Sequence, residues 1–315
     1  MKTKQKQIVG NLKFMKAAGS FRLGLFVIFT AALAVVLSAA PIQHVVVVSM
    51  DGARPDTVLW ANTPNVREIA SKGAYTWWAQ TIMPSITLIS HSSMLTGSQP
   101  AKHGITWNDH QPAKGFVKTS TCFEIAKKAG MGTAMVVGKI KLHHIAKPDT
   151  VDQFEEIKGG AIPIATKAVE ILQNTAPAIL FVHFPDPDAA GHPNGWGSAP
   201  FLAAVENCDK GLGLLLTAIR DPKLEGNTIL IVTADHGGHK KGHGSADPRD
   251  TTIPWICYSP NPNLIIAGQI DGRVSTCDTA ATAVAALGLT PDSAWDGKVV
   301  PIFPASSNAS QPAAK

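Results

Sequence analysis

Short, unbroken apolar runs recur along this chain, and stretches with helical periodicity fall between them. Residues 44–49 (HVVVVS), 133–137, 179–184, 228–232 and 253–258 are β-branched or apolar without alternation. That pattern predicts strands buried on both faces of a parallel sheet. Residues 75–78 (YTWW) predict a further strand or edge segment. Helices are predicted between them: one from a Thr63 cap and Pro64 through Ile69, ended by Lys72-Gly73, and one over 87–95 stopped by Gly97. Further helices are predicted over 120–129, 199–219 and 278–287. Strand and helix therefore alternate, which predicts a single α/β domain over residues 41–303. A small-residue tail at 304–315 is expected to be disordered, and no repeat or linker divides the domain.

With 315 residues, 45% hydrophobic and 16% charged, the chain can bury a full core. The net charge of +5 misleads, because six of the 28 basic residues precede residue 23, where no acid occurs, leaving 22 basic against 23 acidic residues. The basic balance is thus a property of the N-terminus, and specific nucleic-acid binding is not expected. Residues 23–37 are apolar and end at Ser38-Ala39-Ala40, the makings of an export signal over residues 1–40. Export to the periplasm or medium is expected. Pro41 disfavours cleavage at Ala40, so an uncleaved N-terminal anchor is the alternative and would be the chain's only tie to a membrane. Cys122, Cys208, Cys257 and Cys277 are widely spaced and form no C-x-x-C pair, which excludes a zinc ribbon. Disulfides and buried free thiols are equally compatible with that spacing.

Candidate chemistry sits where the apolar runs stop. The run ending at Thr233-Ala234 delivers Asp235-His236-Gly237-Gly238, and in open α/β sheets ligands bind at that carboxyl edge. A carboxylate beside an imidazole, followed by flexible glycines, suits a divalent cation. His239 and His243 lie just downstream. The first strand repeats the scheme with Asp51-Gly52, and the third yields Asp186-Pro187-Asp188 and His192. Asp188 and His192, four residues apart, share one side of a helical turn, and Asp186 is an alternative carboxylate. Thr87 is placed at a helix amino end, where open N–H groups and the dipole favour an anion; a hydroxyl there beside a metal can be ionised and attack phosphorus. A plain helix cap is its structural alternative, and Ser85, Ser90, Ser92 and Ser93 are rival hydroxyls. Asn108, in a loop beside the same edge, could donate to a substrate oxygen. Trp60, Trp107 and Trp196 could stack on a base or sugar, with core packing as the alternative role. Three strand ends together supply ligands for two cations, which can clamp a phosphate ester.

These motifs resemble the alkaline phosphatase superfamily, in particular its type I phosphodiesterase/nucleotide pyrophosphatase branch. The matching pieces are VVVVSMDGARPD, MPSITLISHSSMLTG with PAKHGI, PDPDAAGH, and TADHGG followed by HG. The resemblance implies an α/β three-layer sandwich around a mostly parallel sheet. It implies that Asp51, Thr87, Asp235 and His236 hold one zinc ion and Asp188, His192 and His243 the other, with His243 taken over His239 for its His-Gly pairing. Thr87 would be the nucleophile, transiently phosphorylated. Ser90 stands where phosphodiesterase members usually carry an asparagine, so Ser90 or Asn108 would contact the substrate phosphate.

The expected activity is therefore hydrolysis of a small-molecule phosphate ester, a diester or nucleotide pyrophosphate, at a two-zinc site. Phosphomonoesterase action is an alternative. A sulfatase needs Cys or Ser within C/S-x-P-x-R, which the residues from Thr87 lack. A metal-containing envelope protein that binds without turnover is the non-enzyme alternative, and Thr87→Ala separates it from an enzyme.

Overall fold

The structure, a computed structural model, describes residues 42–305; the expectations for residues 1–40 and 306–315 lie outside them. The chain runs through β1 (His44–Met50), α1 (Pro55–Trp60), α2 (Pro64–Lys72), β2 (Ala74–Gln80), α3 (Thr87–Thr96), α4 (Pro100–His103), α5 (Cys122–Lys128) and β3 (Thr133–Val137). It continues through β4 (Gln153–Glu156), α6 (Ala161–Asn174), β5 (Ile179–Phe184), α7 (Asp186–Asn194), α8 (Ala199–Ile219), β6 (Thr228–Thr233), α9 (Pro248–Thr251), β7 (Thr252–Tyr258), β8 (Gly268–Gln269) and α10 (Asp278–Ala286).

The strands form one eight-stranded sheet in the order β4-β3-β5-β1-β6-β7-β2-β8. Strands β4 through β6 in that order are all parallel, whereas β7 runs antiparallel to both β6 and β2. Val45–Val48 of β1 and the whole of β5 and β6 are buried on both faces, which is why they read as unbroken apolar runs. Helices α1, α2, α6 and α7 pack on α8, and α3, α5 and α10 pack on one another, two groups with the sheet between them. Right-handed crossovers require this, because the chain moves one way along the sheet through α6 and α8 and the other way through α3 to α5.

The expected helices and strands form, with shifted ends. Thr121 caps α5 by accepting from the Glu124 amide at 3.0 Å. Thr63 does not cap α2; its hydroxyl donates to the Val58 carbonyl, and Asp209 of α8 takes the Asn65 and Val66 amides instead. A buried carboxylate from another helix meets the open amides with full charge, and the short threonine is drawn to the preceding turn. Helices α1, α4, α6 and α9 and strands β4 and β8 are additional to the elements that the sequence predicts. All four cysteines are buried free thiols. Among the described residues no helix is long and apolar enough to cross a membrane.

Candidate metal centre

The three central strands β5, β1 and β6 end side by side, and each releases an acidic residue at its carboxyl end. Asp51 follows β1, Asp188 lies in the first turn of α7 after β5, and Asp235 follows β6. Gly52 adopts φ +76°, and a Cβ there would stand 3.2 Å from Cα and Cβ of Asp188. Only glycine lets the two segments close to this distance, where the Asp188 amide donates to the Asp51 carbonyl at 2.9 Å. The Gly52 amide itself donates to Asp235 Oδ1 at 3.1 Å. Thr87 enters from α3, whose first residue it is, and its Oγ1 lies 3.3 Å from His236 Nε2.

Three imidazoles complete the cluster, and their tautomers follow from their backbone partners. His236 Nδ1 lies 2.7 Å from the Gly237 carbonyl, His243 Nδ1 2.9 Å from that of Ser85, and His192 Nδ1 3.2 Å from that of Lys241. A carbonyl only accepts, so each Nδ1 carries the proton and each Nε2 presents a lone pair. Those lone pairs face carboxylate oxygens. His236 Nε2 is 3.4 Å from Asp51 Oδ1 and 3.2 Å from Asp235 Oδ2. His243 and His192 Nε2 lie 3.4 and 3.2 Å from Asp188 Oδ1. Among the described residues, Asp51 Oδ1, Asp188 Oδ1 and Asp235 Oδ2 are buried atoms with no hydrogen-bond partner. Acceptors facing acceptors in a buried site are repulsive until a cation lies between them, so this donor set fits divalent metal. The ligand atoms of Asp188, His192 and His243, and separately those of Asp51, Asp188 and His236, lie within 4.8 Å of one another.

A family model described as "Type I phosphodiesterase / nucleotide pyrophosphatase" matches residues 45–241, more than half of the chain and the span that carries every residue of this cluster but His243. The chain belongs to the type I phosphodiesterase/nucleotide pyrophosphatase family. Ectonucleotide pyrophosphatase/phosphodiesterase family member 3 of Mus musculus is 26% identical over 216 residues, 61% of this chain and 24% of that protein. Family member 5 of Homo sapiens is 27% identical over 237 residues, 69% of this chain and 50% of that protein. The chain thus spans about a quarter to half the length of these relatives. Among solved structures, murine ectonucleotide pyrophosphatase/phosphodiesterase 5, in an inactive form in complex with AMP, superposes with TM-score 0.67 at 16% identity, over 79% of this chain and 96% of that one. A 2-O glycosaminoglycan sulfatase superposes with TM-score 0.68 at 14% identity, over 82% and 73%. The fold is the alkaline phosphatase-like sandwich that these phosphodiesterases and sulfatases share.

Within this family frame, the two halves of the cluster differ in exposure. Asp51, Thr87, Asp235 and His236 are buried, whereas His192 is half exposed. Burial lowers the pKa of His236, and burial with His236 alongside pushes His243 down to about 4, which favours for both the neutral imidazole that a metal site requires. Burial, with the Asp51 charge nearby, raises Asp235 to about 8. Burial also works to raise Asp51, but the Lys139 ammonium and the His183 hydrogen bond hold it well below the usual carboxylate range. Burial thus works against the charged form of Asp235 while Lys139 and His183 favour that of Asp51, and bound cations would favour the charged form of both.

Other candidate residues fall elsewhere. His239 turns away from the cluster, its Nδ1 2.7 Å from Asp250 Oδ1. Asp186 Oδ1 accepts from Asn207 Nδ2 at 2.6 Å. Ser90 is fully buried and its hydroxyl donates to the Asp235 carbonyl at 2.7 Å, which places it behind that residue. Asn108 Oδ1 accepts from the Leu88 amide at 3.0 Å, so its side chain stands at the amino end of α3 next to Thr87. Trp196 is buried and donates to the Gly52 carbonyl, whereas Trp60 is 67% exposed.

Sequence reasoning missed Lys139, His183 and His91. Lys139 Nζ bridges Asp51 and Asp188, His183 Nε2 donates to Asp51 Oδ2 at 2.8 Å, and His91 Nδ1 lies 2.8 Å from the Thr87 carbonyl and 3.3 Å from Asp235 Oδ2. A signal existed for two of them. His183 interrupts the apolar run ILFVHF, and Gly138-Lys139 follows β3 much as Asp51-Gly52 follows β1.

Proposed function

We propose that the chain is a metal-dependent hydrolase of small phosphate esters, a phosphodiesterase or nucleotide pyrophosphatase that acts through Thr87. The observation that carries this reading is the set of three Nε2 lone pairs turned toward three unpartnered carboxylate oxygens, with a threonine hydroxyl at a helix amino end among them. Asp51, Thr87, Asp235 and His236 would hold one divalent ion, zinc by its nitrogen and oxygen donors, and Asp188, His192 and His243 the second. Asp188 also lies within reach of Asp51 and His236, so it borders both positions. When bound, such ions neutralise phosphate charge and lower the proton affinity of nearby hydroxyl groups.

The residues of the chain supply the rest. Thr87 is the first residue of α3, so its hydroxyl stands at the helix's amino end, where the dipole favours an incoming phosphate. Attack by Oγ forms the Thr87 phosphoester and expels the alcohol or nucleotide; water then cleaves the phosphoester and restores the hydroxyl. Asn108 fixes the Leu88 amide with its Oδ1, leaving Nδ2 to donate to substrate. Ser90 supports Asp235 from behind. Exposed His192 marks the side open to solvent, where substrate and water enter. The AMP complex of the murine relative supports nucleotide-containing esters as substrates. The names of relatives, ectoenzymes and venom phosphodiesterases, support a site of action outside the cytoplasm.

Thr87→Ala tests the reading. Hydrolysis of bis-p-nitrophenyl phosphate should fall at least about a thousandfold while metal content stays at the wild-type level. Wild-type turnover in that variant would overturn the assignment of the nucleophile.

A further inference from the structure

Lys139 stands between the two halves of the centre and belongs to none of the motifs that define it. It follows β3 and precedes a 3-10 helix over Ile140–Ile145. Its Nζ lies 2.6 Å from Asp51 Oδ2 and 2.6 Å from Asp188 Oδ2, with the side chain 19% exposed. These are not the oxygens that His192, His236 and His243 face. Each carboxylate is divided, with Oδ2 on the ammonium and Oδ1 turned toward the imidazole lone pairs, without a hydrogen-bond partner among the described residues. His183 reinforces the division by donating to the same Asp51 Oδ2 at 2.8 Å. Its Nδ1 accepts from the Gly138 amide, the residue before Lys139, so one short backbone segment fixes both supports.

Two buried carboxylates brought this close repel one another, and separating them would dismantle the pairing of the Asp188 amide with the Asp51 carbonyl. A cation must offset them whether or not metal is present. Lys139 is placed to do so without occupying the Oδ1 side.

We propose that Lys139 is a positioning residue that acts as the centre's internal counter-cation: it holds Asp51 and Asp188 in ligand geometry before metal arrives, and its charge then weakens the metal binding that follows. This rests on the two-metal reading above. The two effects have one origin, since an ammonium that stabilises the metal-free carboxylates must, through the same field, oppose a divalent ion that approaches them.

The test uses the full chain with Lys139→Met and Lys139→Arg, and zinc ions alone as the probe. After chelation, Lys139→Met should melt at least about 5 °C below wild type, since two buried carboxylates lose their partner. Zinc should restore most of that loss, and the zinc Kd from competition with a chromophoric chelator should tighten at least about tenfold. Lys139→Arg should keep both quantities near wild type. A lysine with a merely structural role would lower the melting temperature equally with and without zinc and leave the Kd unchanged or weaker, and that result overturns the proposal. A Lys139→Met chain that folds only in zinc supports it; one that folds in neither condition overturns it, because metal then fails to replace the ammonium. If the wild-type chain binds no zinc, the two-metal reading itself falls, an outcome distinct from a wild type that binds zinc and a Lys139→Met variant that binds it no tighter.

Discussion

Adding one methyl group at Gly238 should damage the exposed half of the centre without touching a ligand. The Trp196 indole is held between two glycines. A Cβ at Gly238 would stand 2.2 Å from Trp196 Cε2 and 2.5 Å from Cδ2 and Nε1, and a Cβ at Gly191 would stand 2.8 Å from its Cδ2, Cε3 and Cζ3. The ring cannot retreat from one without meeting the other. It also lies edge-on to His192 at 5.3 Å and beside His243 at 5.8 Å between ring centroids, so its displacement carries both imidazoles with it. Overpacking of this kind costs about 1–3 kcal/mol, and loss of the 2.9 Å hydrogen bond from Trp196 Nε1 to the Gly52 carbonyl adds about 1 kcal/mol. For a domain of this size the sum corresponds to a melting temperature lowered by roughly 5–10 °C. Differential scanning fluorimetry of Gly238→Ala, alongside zinc content by atomic absorption, measures both effects. Bound zinc should fall toward one ion per chain, because Asp51, Asp235 and His236 do not rest on the indole. Adding Trp196→Phe should recover part of the stability by shrinking the ring that is struck. A Gly238→Ala chain with wild-type melting and zinc content would refute the argument that this slot is rigid.

Ser90→Ala should leave KM for bis-p-nitrophenyl phosphate unchanged and cost about 1 kcal/mol of stability, because the lost hydroxyl bonds the Asp235 carbonyl, which Thr81 also reaches. Asn108→Ala should instead lower kcat/KM at least about tenfold, since it loosens the Leu88 amide beside Thr87; equal kinetics in both variants would contradict the division of roles. His103 is buried, its Nδ1 accepts from the Ile105 amide, and its Nε2 bonds Ser93, so only the neutral ring fits. Burial lowers its pKa to about 4. Below the ordinary value of 6.5 the unfolded chain takes up a proton that the folded chain refuses, so stability should fall as pH drops from about 6.5 to 4, by up to about 3 kcal/mol. His103→Gln should flatten that slope in melting curves recorded across the same pH range, and an unchanged slope would exclude His103 as its source.

Much of the architecture is legible because burial on both faces leaves a plain mark. Strands β3 and β5 and helix α8 begin and end where the apolar pattern does. Edge strand β4, QFEE, is half buried and carries no apolar run, and α6 begins after Gly159-Gly160 with a proline in its first turn, which conceals its periodicity. The acidic members of the proposed centre, Asp51, Asp188 and Asp235, are readable because each comes shortly after a buried strand, where a polar residue has no packing role. Their supports are not. Lys139, His183 and His91 meet Asp51, Asp188 and Asp235 from distant parts of the chain, so no spacing rule connects those pairs; only the contact of His91 with the Thr87 carbonyl, one helical turn away, is local. Asp209 capping α2 is hidden in the same way, since the amides it satisfies belong to an element 143 residues earlier. Ser90 shows the converse: its place in a motif suggested a substrate contact, whereas the turn of α3 directs its hydroxyl into the core.

The most direct test of the central claim is metal content and turnover measured on one preparation. The purified chain would be assayed against p-nitrophenyl phosphate and bis-p-nitrophenyl phosphate as isolated, after chelation, and after zinc is restored, with bound metal quantified at each stage. About two zinc ions per chain are expected, with loss of hydrolysis on their removal, recovery on their return, and faster cleavage of the diester. A chain that binds no divalent metal, or one that hydrolyses either ester equally well after its metal has been stripped, would contradict that claim.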